Sequence, residues 1–231
     1  MRKTESGIHV DGYPTADRVV RMVGKQALKL AALRLHESDL KFCHDAMQQL
    51  GLIDKLLPTG ANNKSDMNAH TLRTALWTSI LVKYFSCFGS GKRSLRLNAE
   101  DVLKDEAPEA LEIFQFFKDL RDKHIVHDVN NYNYSETGAV LEADGTLLDI
   151  LSVTIRVVDG DDAYQNMFNL IEVTRTFVSA WSEKMLSDLF AELGEISPNE
   201  ILIWDVMEYE KPQPADIAKA RNRATRNCHK S

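Results

Sequence analysis

The sequence predicts a mainly helical bundle with one small β-hairpin inserted before its last long helix. Three observations predict it. Apolar residues recur at three- and four-residue intervals along most of the chain, the spacing of amphipathic helices. Strand-like apolar runs replace that spacing only around Asp144-Gly145, from about residue 138 to 158. From Asp161 the helical period resumes and runs on to about Leu193.

In order along the chain, Thr15 to Leu35 reads as a helix, with Val19, Val20, Met22, Val23, Ala27, Leu30 and Ala31 at helical spacing. Glu37 to Leu57 reads as a second, through Leu40, Cys43, Met47 and Leu50, and Pro58-Thr59-Gly60 ends it. After a loop at Ala61-Asn62-Asn63-Lys64, Ser65 or Asp66 caps a helix to about Phe88, with Leu72, Leu76, Ile80 and Tyr84 on it. Gly89-Ser90-Gly91-Lys92 lacks the spacing and the preceding strand of a phosphate loop. Pro108 suits the first turn of the next helix, which extends to about Asp128 and is followed by a loop, Asn130 to Ser135.

The hairpin is formed by Gly138–Glu142 and Leu147–Val158 around an Asp-Gly turn, which supplies the positive φ angles a tight turn needs. The long helix from Asp161 carries Tyr164, Phe168, Ile171, Val178, Met185 and Leu189 on or near its apolar face. Beyond Ser197-Pro198, Ile201 to Val206 reads as a short strand or extended arm, set off from a basic tail by Pro212 and Pro214. Residues 1–195 are thus expected to form one helical domain, and residues 196–231 an arm and tail. No internal repeat or low-complexity segment stands out.

Length and composition narrow the function classes. A chain of 231 residues can bury a full core, and 44% hydrophobic with 27% charged residues is ordinary for a globular domain. Ala75 to Phe88, the longest apolar run, is broken by Thr78, Ser79 and Lys83, and the N-terminus leads into no signal region. No membrane association is expected, and a cytoplasmic address follows by default. Cys43, Cys87 and Cys228 are an odd count with wide spacings, which suits neither a disulfide framework nor a thiolate metal site. The net charge of −6 divides into +5 from Lys211 onward and −11 before it. A body that acidic does not resemble a general DNA-binding surface. The tail is either a solvated end or a contact for nucleic acid or an acidic partner.

Chemistry concentrates at Arg121-Asp122-Lys123-His124-Ile125-Val126-His127. Ile113, Phe114, Phe117 and Leu120 form an apolar stripe, and Arg121 extends it, seven residues after Phe114 and four after Phe117. A guanidinium there is costly unless it is paired or opens into a polar cleft. His124 lies on the same side. His127 is about 120° from Arg121 on an ideal helix, so the two converge only if the helix frays or ends there. Arginine, two histidines and flanking acids suit chemistry on a phosphodiester. A histidine moves a proton near neutral pH, and an arginine holds charge developing on phosphate oxygens.

The string Arg121 to His127, with five residues between its ends, resembles the R-x(4–6)-H signature of HEPN domains, most closely the abortive-infection-like branch. The likeness covers roughly residues 15–195. It implies an all-helical bundle in which this motif closes a central helix. It also implies a metal-independent endoribonuclease, of toxin or phage-defence type, working as a homodimer whose two motifs meet. Carried over, Arg121 binds and polarises the scissile phosphate, and Asp122 occupies the polar position beside it. His127 transfers protons, with the RNA 2′-hydroxyl as nucleophile. Lys123 and His124 are supporting residues, and Tyr132 and Tyr134 in the following loop are candidate RNA contacts. No cofactor is implied. Expected partners are RNA, a second copy of the chain, and an antitoxin or defence partner.

Plainer readings stand beside these. Arg121 can pair with an acid from a neighbouring helix, and His124 can pack or orient rather than catalyse. His124 and His127 beside Asp128 invite a metal, yet no third His or Cys cluster supports one, so no metal is expected. His36, His44 and His70 stand alone in sequence and read as structural or exposed. The whole can equally be a non-catalytic dimer of the same family that binds RNA, a nucleotide or a partner protein.

Overall fold

The structure, a computed structural model, describes residues 2–4, 7–9, 12–13, 16, 18–56, 64–89, 94–126, 133–156, 161–207 and 213–214. These are mainly helical, with two small two-stranded antiparallel sheets. Strands β1 (Arg2–Thr4) and β2 (Gly7–His9) pair with each other. Helices α1 (Lys25–Leu56), α2 (Lys64–Ser86), α3 (Ala99–Val102) and α4 (Glu109–Asp119) follow. A π-helical segment, Leu120–Val126, continues α4. The hairpin β3 (Asn133–Leu141) and β4 (Leu147–Arg156), then α5 (Asp161–Gly194) and α6 (Pro198–Leu202), complete the order. No helix among the described residues is long and apolar enough to cross a membrane.

Two helices expected over 15–57 are in fact one, and it starts later. Between Gly24 and Gly51 there is neither glycine nor proline, and the apolar face runs unbroken through Leu33, His36 and Leu40, all fully buried. Gly24, at φ +117, marks the start of α1 by adopting a conformation that other residues resist. The apolar residues ahead of it are extended instead. Val20 bridges Val206, the Arg21 amide donates to the Asp205 carbonyl at 2.7 Å, and the Met207 amide donates to the Val19 carbonyl at 2.8 Å.

The short strand or extended arm expected over Ile201–Val206 holds only at its end. Its first residues are helical because Ser197 and Glu200 form a reciprocal capping box and Pro198 opens the helix. Only Val206 keeps an extended pairing.

The chain gathers into two compact units, each built from segments distant in sequence. One comprises residues 1–34, 92–95 and 180–231, with Leu33, Met185 and Leu189 buried in it. The other comprises residues 35–91 and 96–179 and contains the motif. Its core is aromatic. Tyr84, Phe85, Phe88 and Phe114 pack with ring centroids 4.8–6.4 Å apart, in tilted and edge-on arrangements that favour such pairs. The Thr174 hydroxyl donates to the Leu170 carbonyl at 2.7 Å, so the Tyr84 hydroxyl is the donor in its 2.9 Å bond to Thr174. Burial pushes the Tyr84 phenol well above its usual range, and it stays protonated.

The hairpin forms where the Asp-Gly signal places it. Gly145 adopts φ +89, the Asp144 carboxylate accepts from the Thr146 amide at 2.9 Å, and Glu142 bonds back to Thr146. The first strand is longer than expected, because Asn133 to Gly138, partly assigned to a loop, pair in continuous register with Arg156 to Leu151. Local composition there is polar, but the partner strand supplies the ladder. The final stretch expected of the second strand, residues 157–158, lies outside the described residues.

Candidate functional site

Helix α4 presents Phe114 and Phe117 to the core, and Leu120 continues the buried row. At Leu120 the α-helical register widens into a π-helix that runs through the motif to Val126. Such segments are rare and concentrate at functional sites, since their looser backbone has to be held by its surroundings. The sequence expectation of an α-helix to about Asp128 is corrected here. The change of geometry begins one residue before Arg121, at the point where the apolar stripe meets its first charge.

Arg121 sits at the end of that stripe, as its spacing from Phe114 and Phe117 requires. Its side chain is 24% exposed, and its guanidinium carbon lies 5.7 Å from the centre of the Phe85 ring, within cation–π reach. Nη1 donates to the Asp122 carboxylate at 2.9 Å, whereas Nε is buried without a hydrogen-bond partner. The pairing acid is therefore the adjacent residue, not one from a neighbouring helix. Asp122 is itself more than a third exposed, so the pair contributes little to stability. The orphaned Nε–H matters more. An unsatisfied buried donor costs about 1–3 kcal/mol.

Lys123 is exposed and reaches Asp119 one turn back, at 3.3 Å. This is an exposed pair on the surface of the segment. His124 belongs to the π-helical segment and Tyr134 to β3, with side chains outside the described set. His127 and Tyr132 lie outside the described residues altogether. The structure thus brings Arg121 and Asp122 together, and pairs Lys123 with Asp119.

The isolated reading of His44 is corrected by a cluster that spacing does not reveal. His44 Nδ1 lies 2.6 Å from Glu172 on α5, and Arg175 donates to the same carboxylate oxygen at 2.7 Å. Gln48, one turn along α1, bonds the other ring nitrogen at 2.8 Å, and Phe168 packs against the imidazole. Nδ1 also lies 2.8 Å from Arg175 Nη1, so this ring nitrogen sits against both the carboxylate and the guanidinium. The partners are 128 residues apart, so no local pattern announces them. His36 is fully buried and His70 exposed, in line with a structural or solvent role.

Burial works to raise the Glu172 carboxyl, but the hydrogen bonds from Arg175 and His44 outweigh it and hold it below its ordinary value. A carboxyl depressed in the folded state stabilises the fold above the unfolded value, near 4.5, and that contribution disappears as pH falls through the folded value. Glu172→Gln is therefore expected to flatten the acid side of the stability profile below about pH 4.5, as measured by urea unfolding across that range.

No family model, curated protein or solved structure matches this chain.

Proposed function

We propose that the protein is a metal-independent endoribonuclease of the HEPN type, acting as a homodimer in an abortive-infection or toxin role. The observation that carries this reading is Arg121. It is a partly exposed guanidinium held against an aromatic ring inside a π-helical segment, with one donor paired to a weakly held neighbour and another left unsatisfied. A phosphate offers the partly exposed end of that guanidinium acceptor oxygens in its own plane. In the proposed reaction Arg121 holds the scissile phosphate and stabilises the charge that builds on its oxygens. His127 takes up the proton of the RNA 2′-hydroxyl as this attacks the adjacent phosphorus. The bond from phosphorus to the 5′-oxygen breaks, that oxygen takes a proton from solvent, and a 2′,3′-cyclic phosphate remains. Asp122 tethers the guanidinium until substrate displaces it. Two motifs facing each other compensate for the acidity of the body, whose −11 would otherwise repel RNA.

The test is cleavage of single-stranded RNA by highly purified protein in excess chelator. Cleavage is expected to persist there and to vanish on a 2′-O-methyl or DNA version of the same strand. Loss of activity in chelator defeats the mechanism, and cleavage of the DNA strand defeats the role of the 2′-hydroxyl. Light scattering at micromolar concentration is expected to show a dimer, and a monomer there removes the composite site.

The Arg121–Asp122 contact favours one alternative, a non-catalytic dimer of the same kind that binds RNA, a nucleotide or a partner protein while that pair stays closed. Asp122→Asn discriminates. Freeing Arg121 is expected to tighten RNA binding in both readings, but to change a cleavage rate only in the first.

A further inference from the structure

The hairpin of β3 and β4 is long, apolar and open. Every residue from Ser135 to Val153 is exposed, and among the described residues no third strand joins the pair. Leu141, Leu147, Leu148, Ile150, Leu151 and Val153 are each between 49% and 65% exposed. A two-stranded hairpin left in water is marginal, and a third strand or a packed face is what stabilises one. Proteins guard such edges with lysine, proline or a very short strand. Over its ten residues β4 has none of these, and its register irregularity is confined to the turn end.

Two hydrogen bonds identify the backbone groups of β4 that face outward. The Ser135 hydroxyl donates to the Val153 carbonyl at 3.3 Å, so Val153 turns its backbone towards β3. Alternation then turns the backbone of Ile150, Ser152 and Thr154 to the open edge. There the Ile150 amide donates to the Asp149 carboxylate at 2.7 Å, a side-chain acceptor in the place of a strand carbonyl. The register also sorts the side chains. Opposed residues share a face, so the pairs Glu136–Val153 and Val140–Asp149 set both strand carboxylates on one side. The pairs Ala139–Ile150 and Leu141–Leu147 leave the other side apolar and uncharged. Glu142 and Asp144 add two acids at the turn, and no Lys or Arg lies between Lys123 and Arg156.

That charge selects the occupant. A second copy laid along β4 would bring the acids of one hairpin against those of the other, and juxtaposed like charges repel. An anionic membrane leaflet is repelled likewise. We infer that β4 is a docking edge for a partner protein's extended segment in which Lys or Arg alternates with Val, Ile or Leu. The segment adds a third strand, its amides and carbonyls meeting those of Ile150, Ser152 and Thr154. One of its carbonyls takes the Ile150 amide from Asp149, and the carboxylate so released pairs with a basic side chain on the same face. On the opposite face its apolar residues cover Ile150 and Leu147. The inference stands independently of the ribonuclease reading.

The probe is a synthetic peptide of about eight residues alternating lysine and valine, titrated by calorimetry into the full chain. Beside it runs a peptide of the same composition with its lysines in one block. The alternating peptide is expected to bind about tenfold tighter or more, because only it sets all its cations on one face of a strand. Ser152→Pro removes an outward amide and spares the ladder to β3, so it is expected to cut that affinity about tenfold. Ile150→Lys, at an exposed position, is expected to do the same by setting a cation under the peptide's apolar face. Circular dichroism confirms that both variants are folded. Equal binding of the two peptides overturns the docking edge, as does alternating-peptide binding that survives either substitution in a folded protein. Light scattering in which Ile150→Lys turns a dimer into a monomer assigns the edge to a second copy and overturns the inference. Capture of the wild type but not of Ile150→Lys by phosphatidylglycerol vesicles assigns it to a membrane, with the same result.

Discussion

His127→Ala is expected to lower the rate of RNA cleavage by about 10²-fold or more without altering the fold, the usual scale for removing a general acid or base. In the proposed ribonuclease the phosphate is held by Arg121, at the end of the apolar stripe. Proton transfer must then come from a group within hydrogen-bond reach that changes charge near neutral pH, and of the motif's residues only the two histidines do so. His127 closes the signature that Arg121 opens, whereas His124 follows Phe117 and Leu120 on the apolar side. His124→Ala is accordingly expected to slow cleavage less. The comparison is made with wild type and variant purified in parallel on one RNA. Equal residual cleavage by the two identifies a contaminating nuclease and leaves the non-catalytic dimer as the better reading.

Phe85→Ala is expected to destabilise the protein by about 3–5 kcal/mol, the range for truncating a buried aromatic ring. Phe85 is 1% exposed and meets Tyr84, Phe88 and Phe114, so its removal leaves a cavity bounded by rings that cannot all move inward. Urea unfolding measures this directly, and a loss below about 1.5 kcal/mol would mean that the cluster closes around the gap. The same ring underlies Arg121, which gives the position a second role that Phe85→Leu isolates. Leucine fills most of the volume but has no π-face, and the cation–π contact it removes is worth about 0.5–2 kcal/mol. Phe85→Leu is therefore expected to keep most of the stability while slowing cleavage several-fold. Unchanged cleavage would show that the ring serves the core alone.

Arg121 and Phe85 are linked by packing, and the sequence carries half of that link. Spacing alone places Arg121 on the row of Phe114 and Phe117, because a helix repeats its faces whatever packs against them. That Phe85, from another helix, is the surface beneath the guanidinium depends on how α2 meets α4 and the π-helical segment.

What the sequence by itself determined is the set of features governed by neighbours a few residues apart. The mainly helical character, the tight turn at Asp144-Gly145 with its positive φ, and the long helix from Asp161 all follow from periodicity and turn chemistry. Tertiary structure decided the rest. The continuity of α1 through His36 comes from a face buried along its length, against any local hint of a break at Glu37. Residues 19–21 are extended because 205–207 are there to pair with them, although their own spacing is helical. The His44–Glu172–Arg175 cluster likewise needs partners far along the chain. The reason is common to all of them. Local preferences are worth a fraction of a kcal/mol per residue, so burial and pairing with distant segments override them wherever the two disagree.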